Sequence, residues 1–414
     1  YVSAKNGYCS DTDNNTFFGN AALCSITTGS GTNNTGLGDR ALCSTTTGDN
    51  NVGVGHKALM TNTTAGFNTA VGNCSLFSNT TGIKNTAVGY QSLRANTTAS
   101  YNTASGIYSL YANTTGGYNT ASGLSSMLCN TTGCFNTASG TYSLFKNTAG
   151  DRNTASGYKA LYSNTTASNN TAVGACSLFA NTTGASLVAV GYNALKSSTC
   201  ANCSTAVGHQ ALMDLTTGSG NTAVGQAAGE NVTTGVANVI VGVKALCTAT
   251  AAHYNTAIGY QAQRQTTTGH CNSALGYNSL LSNTTGCNNV GIGLFALCLS
   301  TTGSHNTAIG TRTLAENTTG AKNTAIGYRT LCSNTSGLNN VALGAFVLDA
   351  NTTGCNNTAS GYAALYNNET GCNNTAIGDC ALHDNTTGCL NVAIGRQALV
   401  NNTTANQNTA VGAC

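Results

Sequence analysis

The residues in this chain with the greatest chemical potential are its cysteines. Nineteen are present, an odd number that leaves at least one without an intramolecular partner. Cys200-x-x-Cys203 has the spacing of half a metal knuckle, but no second Cys or His pair stands nearby at zinc spacing. Asp11-x-Asp13-x-Asn15 looks like the opening of a calcium loop, yet it lacks the Gly and the closing Glu of such a loop. A solvated turn is the expected reading there, and no metal site is assigned. Asp and Glu total 12 and stand singly, as at Asp214, Glu230, Asp349 and Asp384, so no carboxylate pair for acid–base work can be argued. The six His, among them His56, His209 and His305, are scattered. Ser and Thr are abundant, but no base accompanies them at a fixed spacing. The G-x-G strings lack the strand-then-helix context that phosphate binding needs. No catalytic residue and no cofactor is assigned, and an enzyme is not expected.

Whatever chemistry exists must be positioned by a repeat. Asn-Thr-Ala-Val-Gly ends at Gly72, and its counterparts end at Gly89, Gly106, Gly123 and Gly140. The spacing is 17 from Gly38 to Gly412, which gives 23 glycines with no insertion. One earlier copy, ending at Gly19, is separated by 19 residues. With the motif Asn as slot 1, the consensus is N-T-A-V-G-Y-x-A-L-x-x-N-T-T-G-x-x. Leu returns once per unit, not every 3.6 residues, so no helical stripe exists. Slots 2 to 4 read as a short strand, and the small residues at slots 5 and 15 mark two bends. Constant length implies stacking, in which each residue lies about 4.8 Å above its counterpart. The expected fold is all-β: a parallel β-solenoid, or β-roll, of 17-residue coils over residues 34–414, opened by an atypical capping coil over 1–33. Phe17 and Phe18 replace the small–apolar pair of slots 3 and 4 in that coil, as suits a terminal repeat.

Stacking turns each slot into a column. Leu at slot 9, as at Leu76, Leu93 and Leu110, and Val or Ile at slot 4 are the expected core. Asn at slot 1 either forms an amide ladder or simply tolerates a left-handed turn. Cys355, Cys372 and Cys389 fall in slot 16 on three successive coils, within reach of a disulfide between neighbours. Free thiols are the other reading. Phe145, Tyr162 and Phe179 fall in slot 10 and should form an aromatic stripe, either packed between chains or exposed to a glycan or receptor. Asn-Thr-Thr at slots 12–14 makes a glycosylation sequon at Asn62, Asn79, Asn96, Asn113 and Asn385, among others. Turn chemistry alone would also select Asn and Thr there.

Composition narrows the function further. Charged residues are 7% of the chain, against roughly 25% in an ordinary soluble domain. A net charge of +3 over this length excludes a basic nucleic-acid binder. No apolar run is long enough for a membrane span. The chain opens on Tyr1 rather than Met and stops at Cys414 inside a repeat, so a piece of a longer protein is expected.

The residues resemble one family. Val71, Gly72, Ser75, Gly82, Asn85, Thr86, Ala87, Val88 and Gly89 match the head repeats of YadA-like trimeric autotransporter adhesins, and related repeats occur in phage and viral tail fibres. The resemblance covers about residues 34–414. The adhesin-head coil is shorter, and N-T-T at slots 12–14 accounts for the difference. The resemblance implies a left-handed parallel β-roll, three chains around one axis, and attachment at a surface. The sequence departs from it in its many cysteines and in showing no heptad stalk, membrane anchor or carboxy-terminal chaperone. The expected function is a non-enzymatic structural or adhesive fibre at a cell or virion surface, with itself as partner in a homo-oligomer or filament and with a cell-surface glycan or receptor as a second partner. Neither nucleic acid nor membrane insertion is expected. The alternatives are an ice-binding solenoid with Thr columns at slots 2, 13 and 14, and a glycosylated filament that assembles end to end.

Overall fold

The computed structural model describes residues 9–413, in two compact units that divide between Ser204 and Thr205. No described residue is helical. In the first unit β1 (Cys9–Ser10) runs antiparallel to β2 (Thr16–Phe18). Strand β2 pairs in parallel with β3 (Thr35–Leu37) and opens a run of eleven parallel strands that ends at Val188–Val190. The second unit has thirteen, from Thr205–Val207 to Thr409–Val411. Strand β2 faces β3 with an offset of 19 residues, as Thr16 faces Thr35, and from β3 on a strand within each unit faces its counterpart 17 residues on, as Ala87 faces Ala104 and Ala376 faces Ala393. Each unit is therefore a β-solenoid with 17-residue coils, as the constant spacing predicts.

Strand alternation decides the core. Each strand is only slots 2 to 4, so one residue points inward and its two neighbours point out. The inward residue is slot 3: Ala87 and Ala376 are fully buried, while slot-4 Val88 is 41% and Ile377 43% exposed. This corrects the expectation of a slot-4 Val/Ile core, while the Leu76, Leu93 and Leu110 column is fully buried as expected. The interior is too narrow for more than a methyl beside the slot-9 leucine. A Cβ added at Gly53, in slot 3, would lie 3.1 Å from Leu42 Cγ. Ile240 is the bulky exception at slot 3, and the chain compensates at slot 9: a Cβ on Gly229 would meet Ile240 Cδ1 at 2.7 Å. Large and small have changed places.

A paired substitution tests this inversion. Val88→Ser is expected to change local stability by less than about 0.5 kcal/mol, as an exposed site should. Ala87→Leu is expected to lose about 1–3 kcal/mol through overpacking. Amide exchange over residues 69–110 reads both.

Backbone bonds tie each coil to both neighbours. Thr86 N donates to Asn102 O at 2.8 Å, Leu93 N to Ser109 O at 2.9 Å and Ala95 N to Tyr111 O at 3.0 Å. Gly89 N and Gln91 N donate the other way, to Val71 O at 2.8 Å and Asn73 O at 2.9 Å. To present these groups the chain takes left-handed φ at non-glycine slots 7, 9 and 17, as at Gln91 (φ 52°), Leu93 (φ 49°) and Lys84 (φ 56°). Such residues are individually unfavourable by roughly 1–2 kcal/mol, and bonding on both sides of the coil holds them.

Candidate functional surface

Two buried amide ladders run through the coils. At slot 1 each Asn Oδ1 accepts the backbone N–H of the next Asn, as Asn51 accepts from Asn68 at 3.0 Å, and Asn68 Nδ2 donates to Gly82 O at 2.9 Å. This settles the slot-1 alternatives in favour of a ladder. The second ladder is at slot 12, where the sequons lie. Asn79 Nδ2 donates to Asn62 Oδ1 at 3.0 Å and to Gly82 O at 2.9 Å, and Asn96 Nδ2 donates to Asn79 Oδ1 at 2.8 Å. The slot-15 carbonyl thus accepts from both ladders.

This overturns the expectation of exposed glycan sites. Asn62, Asn79, Asn96, Asn113 and Asn385 are all fully buried. In Asn113 and Asn385, as in Asn79 and Asn96, Nδ2 donates to the previous coil's Asn and to the carbonyl three residues on. A glycan on Nδ2 would have to displace a core bond and enter a space without room. The adjacent slot-13 hydroxyls also turn to the backbone: Thr80 Oγ1 donates to Thr97 O at 3.1 Å. Within the Asn-Thr-Thr turn, slot 14 is where the Thr is exposed, as at Thr81.

The cysteine column has a comparable explanation. Cys355, Cys372 and Cys389 are free thiols. Cys372 Sγ accepts the N–H of Cys355 at 3.1 Å and Cys389 Sγ that of Cys372 at 3.1 Å. The three thiols donate to the carbonyls of Thr353, Thr370 and Thr387. Slot 16 is an acceptor for a turn amide: Ser100 Oγ fills the role at 3.0 Å, Asp151 Oδ1 at 2.7 Å and His253 Nδ1 at 3.1 Å. A disulfide within the column would withdraw sulfurs from these bonds. Burial pushes the Cys372 thiol above its ordinary value, and it does the same at Cys129, Cys247, Cys298 and Cys332.

One slot-16 thiol differs from the others. Cys287 Sγ lies 3.2 Å from His270 Nδ1 on the preceding coil and accepts the His270 backbone N–H at 3.5 Å.

The aromatic stripe is present. Phe145 and Tyr162 stack at 5.1 Å and 3°, and Tyr162 and Phe179 at 5.2 Å and 9°. All three are half-buried, and the faces between them are taken up by one another, so both faces of the central Tyr162 are covered. A second ladder at slot 17 was missed from the sequence. Tyr101, Tyr118 and Phe135 stack at 4.7 and 5.0 Å, with Lys84 and Arg152 over the two ends at 5.1 and 5.7 Å. Its signal was present: aromatics in one slot on three consecutive coils.

The carboxylates are engaged locally. Asp11 Oδ1 accepts the N–H groups of Asp13 and Asn15, each at 3.0 Å, and Asp13 Oδ2 accepts that of Gly29 at 2.9 Å, so the calcium-like string closes a turn. Asp349, almost buried, accepts Arg329 at 3.2 and 3.0 Å through both oxygens. Among the described residues no three His, Cys, Asp or Glu side chains are grouped to hold a metal, and no helix is long and apolar enough to cross a membrane.

What remains outward is the strand face. Slots 2, 4 and 6 carry Thr or Val, then Val, Ile or Ser, and often Tyr, with Val88 beside Tyr90, Leu275 beside Tyr277 and Ile326 beside Tyr328 all exposed. Against known proteins, no family model matches this chain and no curated protein matches it significantly.

Proposed function

We propose that the chain is a non-enzymatic structural fibre protein of a cell or virion surface, and that it associates with copies of itself through the strand face. The observation that carries this reading is the row of exposed Val, Ile, Leu and Tyr on a face whose polar backbone groups are already paired between coils. Rows of apolar side chains of this extent mark contact surfaces rather than solvated ones. The resemblance to trimeric adhesin heads and tail fibres points the same way and suggests three chains. A constant coil length leaves no long loops on which a catalytic cleft could be built, which favours a role through shape and repetition. Attachment to a glycan or receptor would then use exposed ring edges and the slot-14 hydroxyls.

Sedimentation equilibrium of the purified chain, with electron microscopy, tests the reading. An oligomer that dissociates when Val88, Ile326 and Ile377 are replaced by Lys is the expected result. A monomer at tens of micromolar would overturn it. The exposed Thr81-type column keeps ice binding open to test, and thermal hysteresis in the same sample would favour that function instead.

A further inference from the structure

We propose that Cys24 and Cys43 form a disulfide that staples the irregular first coil to the coil after it, by exchange with a low-molecular-weight disulfide such as oxidised glutathione. The two sulfurs lie 2.7 Å apart, and Cys24 Sγ lies 3.2 Å from Cys43 O. Bond formation at about 2.05 Å needs a further approach of roughly 0.7 Å. Leu23 N donates to Ala41 O at 3.0 Å, so the two coils are already in register next to the thiols. Cys24 is exposed and Cys43 half-buried, which gives a small oxidant access.

The contrast with slot 16 shows why this pair meets. Cys355, Cys372 and Cys389 stack just as closely in sequence, but each sulfur is turned onto a turn amide. At slot 10 no such amide competes, and the sulfurs of adjacent coils face each other. Cys298 and Cys332 share slot 10 but have Ala315 on the coil between them.

The location has a need for a cross-link. The coil of residues 15–33 carries the two extra residues, and these fall in the turn between Thr27 and Gly31, where Ser30 N donates to Thr27 O at 3.0 Å. Slot 12 there holds Ile26, and the next coil holds Thr45, so the inner amide ladder begins only at Asn62. A covalent tie at slot 10 supplies an inter-coil link where that ladder is missing.

The step balances as two exchanges. The Cys24 thiolate attacks one sulfur of the glutathione disulfide, forms a mixed disulfide and expels one glutathione thiolate. Cys43 then gives up its proton to water and attacks the Cys24 sulfur, expelling the second. Two protein thiols are oxidised, and one glutathione disulfide is reduced to two thiols. Burial, with the adjoining Cys24 thiol, pushes Cys43 up to about 11, which makes the exposed Cys24 the first attacker.

The test uses the full chain. It is held in excess oxidised glutathione, trapped with iodoacetamide and cleaved after Arg40, which separates the two cysteines. The expected result is a cross-linked peptide pair two hydrogens lighter than the sum of its parts, with Cys355, Cys372 and Cys389 alkylated in the same digest. Amide exchange over residues 16–44 should slow at least about tenfold on oxidation, and Cys24→Ser or Cys43→Ser should each abolish that change. Full alkylation of both residues, a stable glutathione adduct on Cys24, or a slowing that survives in the Ser variants would overturn the proposal. The wild-type map decides the bond by itself, whether or not a variant folds.

Discussion

Asn147→Asp is expected to abolish amide protection in the coils on both sides of the substitution. Asn147 Nδ2 donates to Asn130 Oδ1 at 2.7 Å and to Gly150 O at 3.0 Å, and its Oδ1 accepts from Asn164 at 2.7 Å. The residue is fully buried. Aspartate replaces two donated bonds with an oxygen that faces two oxygens, and adds an unpaired charge in the interior. Each orphaned acceptor costs about 1–3 kcal/mol, and the charge adds to that, so the loss is on the order of 4 kcal/mol or more. Below the unfolded carboxyl value of about 3.9 the new side chain is neutral and can donate once. Burial raises its folded value, so the loss should be fully present at pH 7 and shrink as the pH falls toward 3. Asn147→Ser should be milder. The natural chain already places Ser198 and Ser300 in this slot with buried, unpartnered hydroxyls. Amide exchange at pH 7 against pH 3 checks the order of the variants. Local exchange suits a repeat array better than a single melting midpoint, because such arrays need not unfold in one step. Equal protection in wild type and Asn147→Asp at pH 7 would sink the ladder as a stabilising element.

Gly106→Ala is the second large effect. Gly106 has φ 134°, a region that only glycine enters readily, and an added Cβ would lie 2.5 Å from Gly123 O and 2.7 Å from its carbonyl carbon. The backbone conformation alone accounts for about 1–3 kcal/mol. Relieving the contact requires the two coils to separate, against the bond from Gly123 N to Ser105 O at 2.8 Å. Protection over residues 88–123 should fall by at least about a hundredfold, which corresponds to roughly 2.7 kcal/mol. The control is Gly116→Ala at slot 15. It is also crowded, with Gly133 O at 2.3 Å from an added Cβ, but its φ is ordinary and Ala65 and Ala99 occupy the same slot. A loss at Gly116→Ala as large as at Gly106→Ala would show that crowding, not φ, governs slot 5.

Much of this was legible in the sequence. A unit that keeps 17 residues across so many copies has to stack, and stacking alone places Phe145, Tyr162 and Phe179 against one another and Leu76, Leu93 and Leu110 in a file. Slot-1 Asn was legible as a ladder candidate because a buried amide stacked on its like can bond in both directions. The slot-12 asparagines were harder. Asn-Thr-Thr is both a sequon and an exposed-turn signature, and only the structure shows its first residue turned inside, bonded to a carbonyl three residues on.

The sequence by itself determined the period, the file of leucines and the parallel register, since these follow from constant length and the obligation to pair backbone groups between coils. The tertiary structure decided which residues face in. A three-residue strand has two possible phases, and its composition suits both. The left-handed residues at slots 7, 9 and 17 fix how the chain enters and leaves the strand. They thereby send the slot-3 alanine to the interior and turn the valines and isoleucines outward, where a partner can meet them.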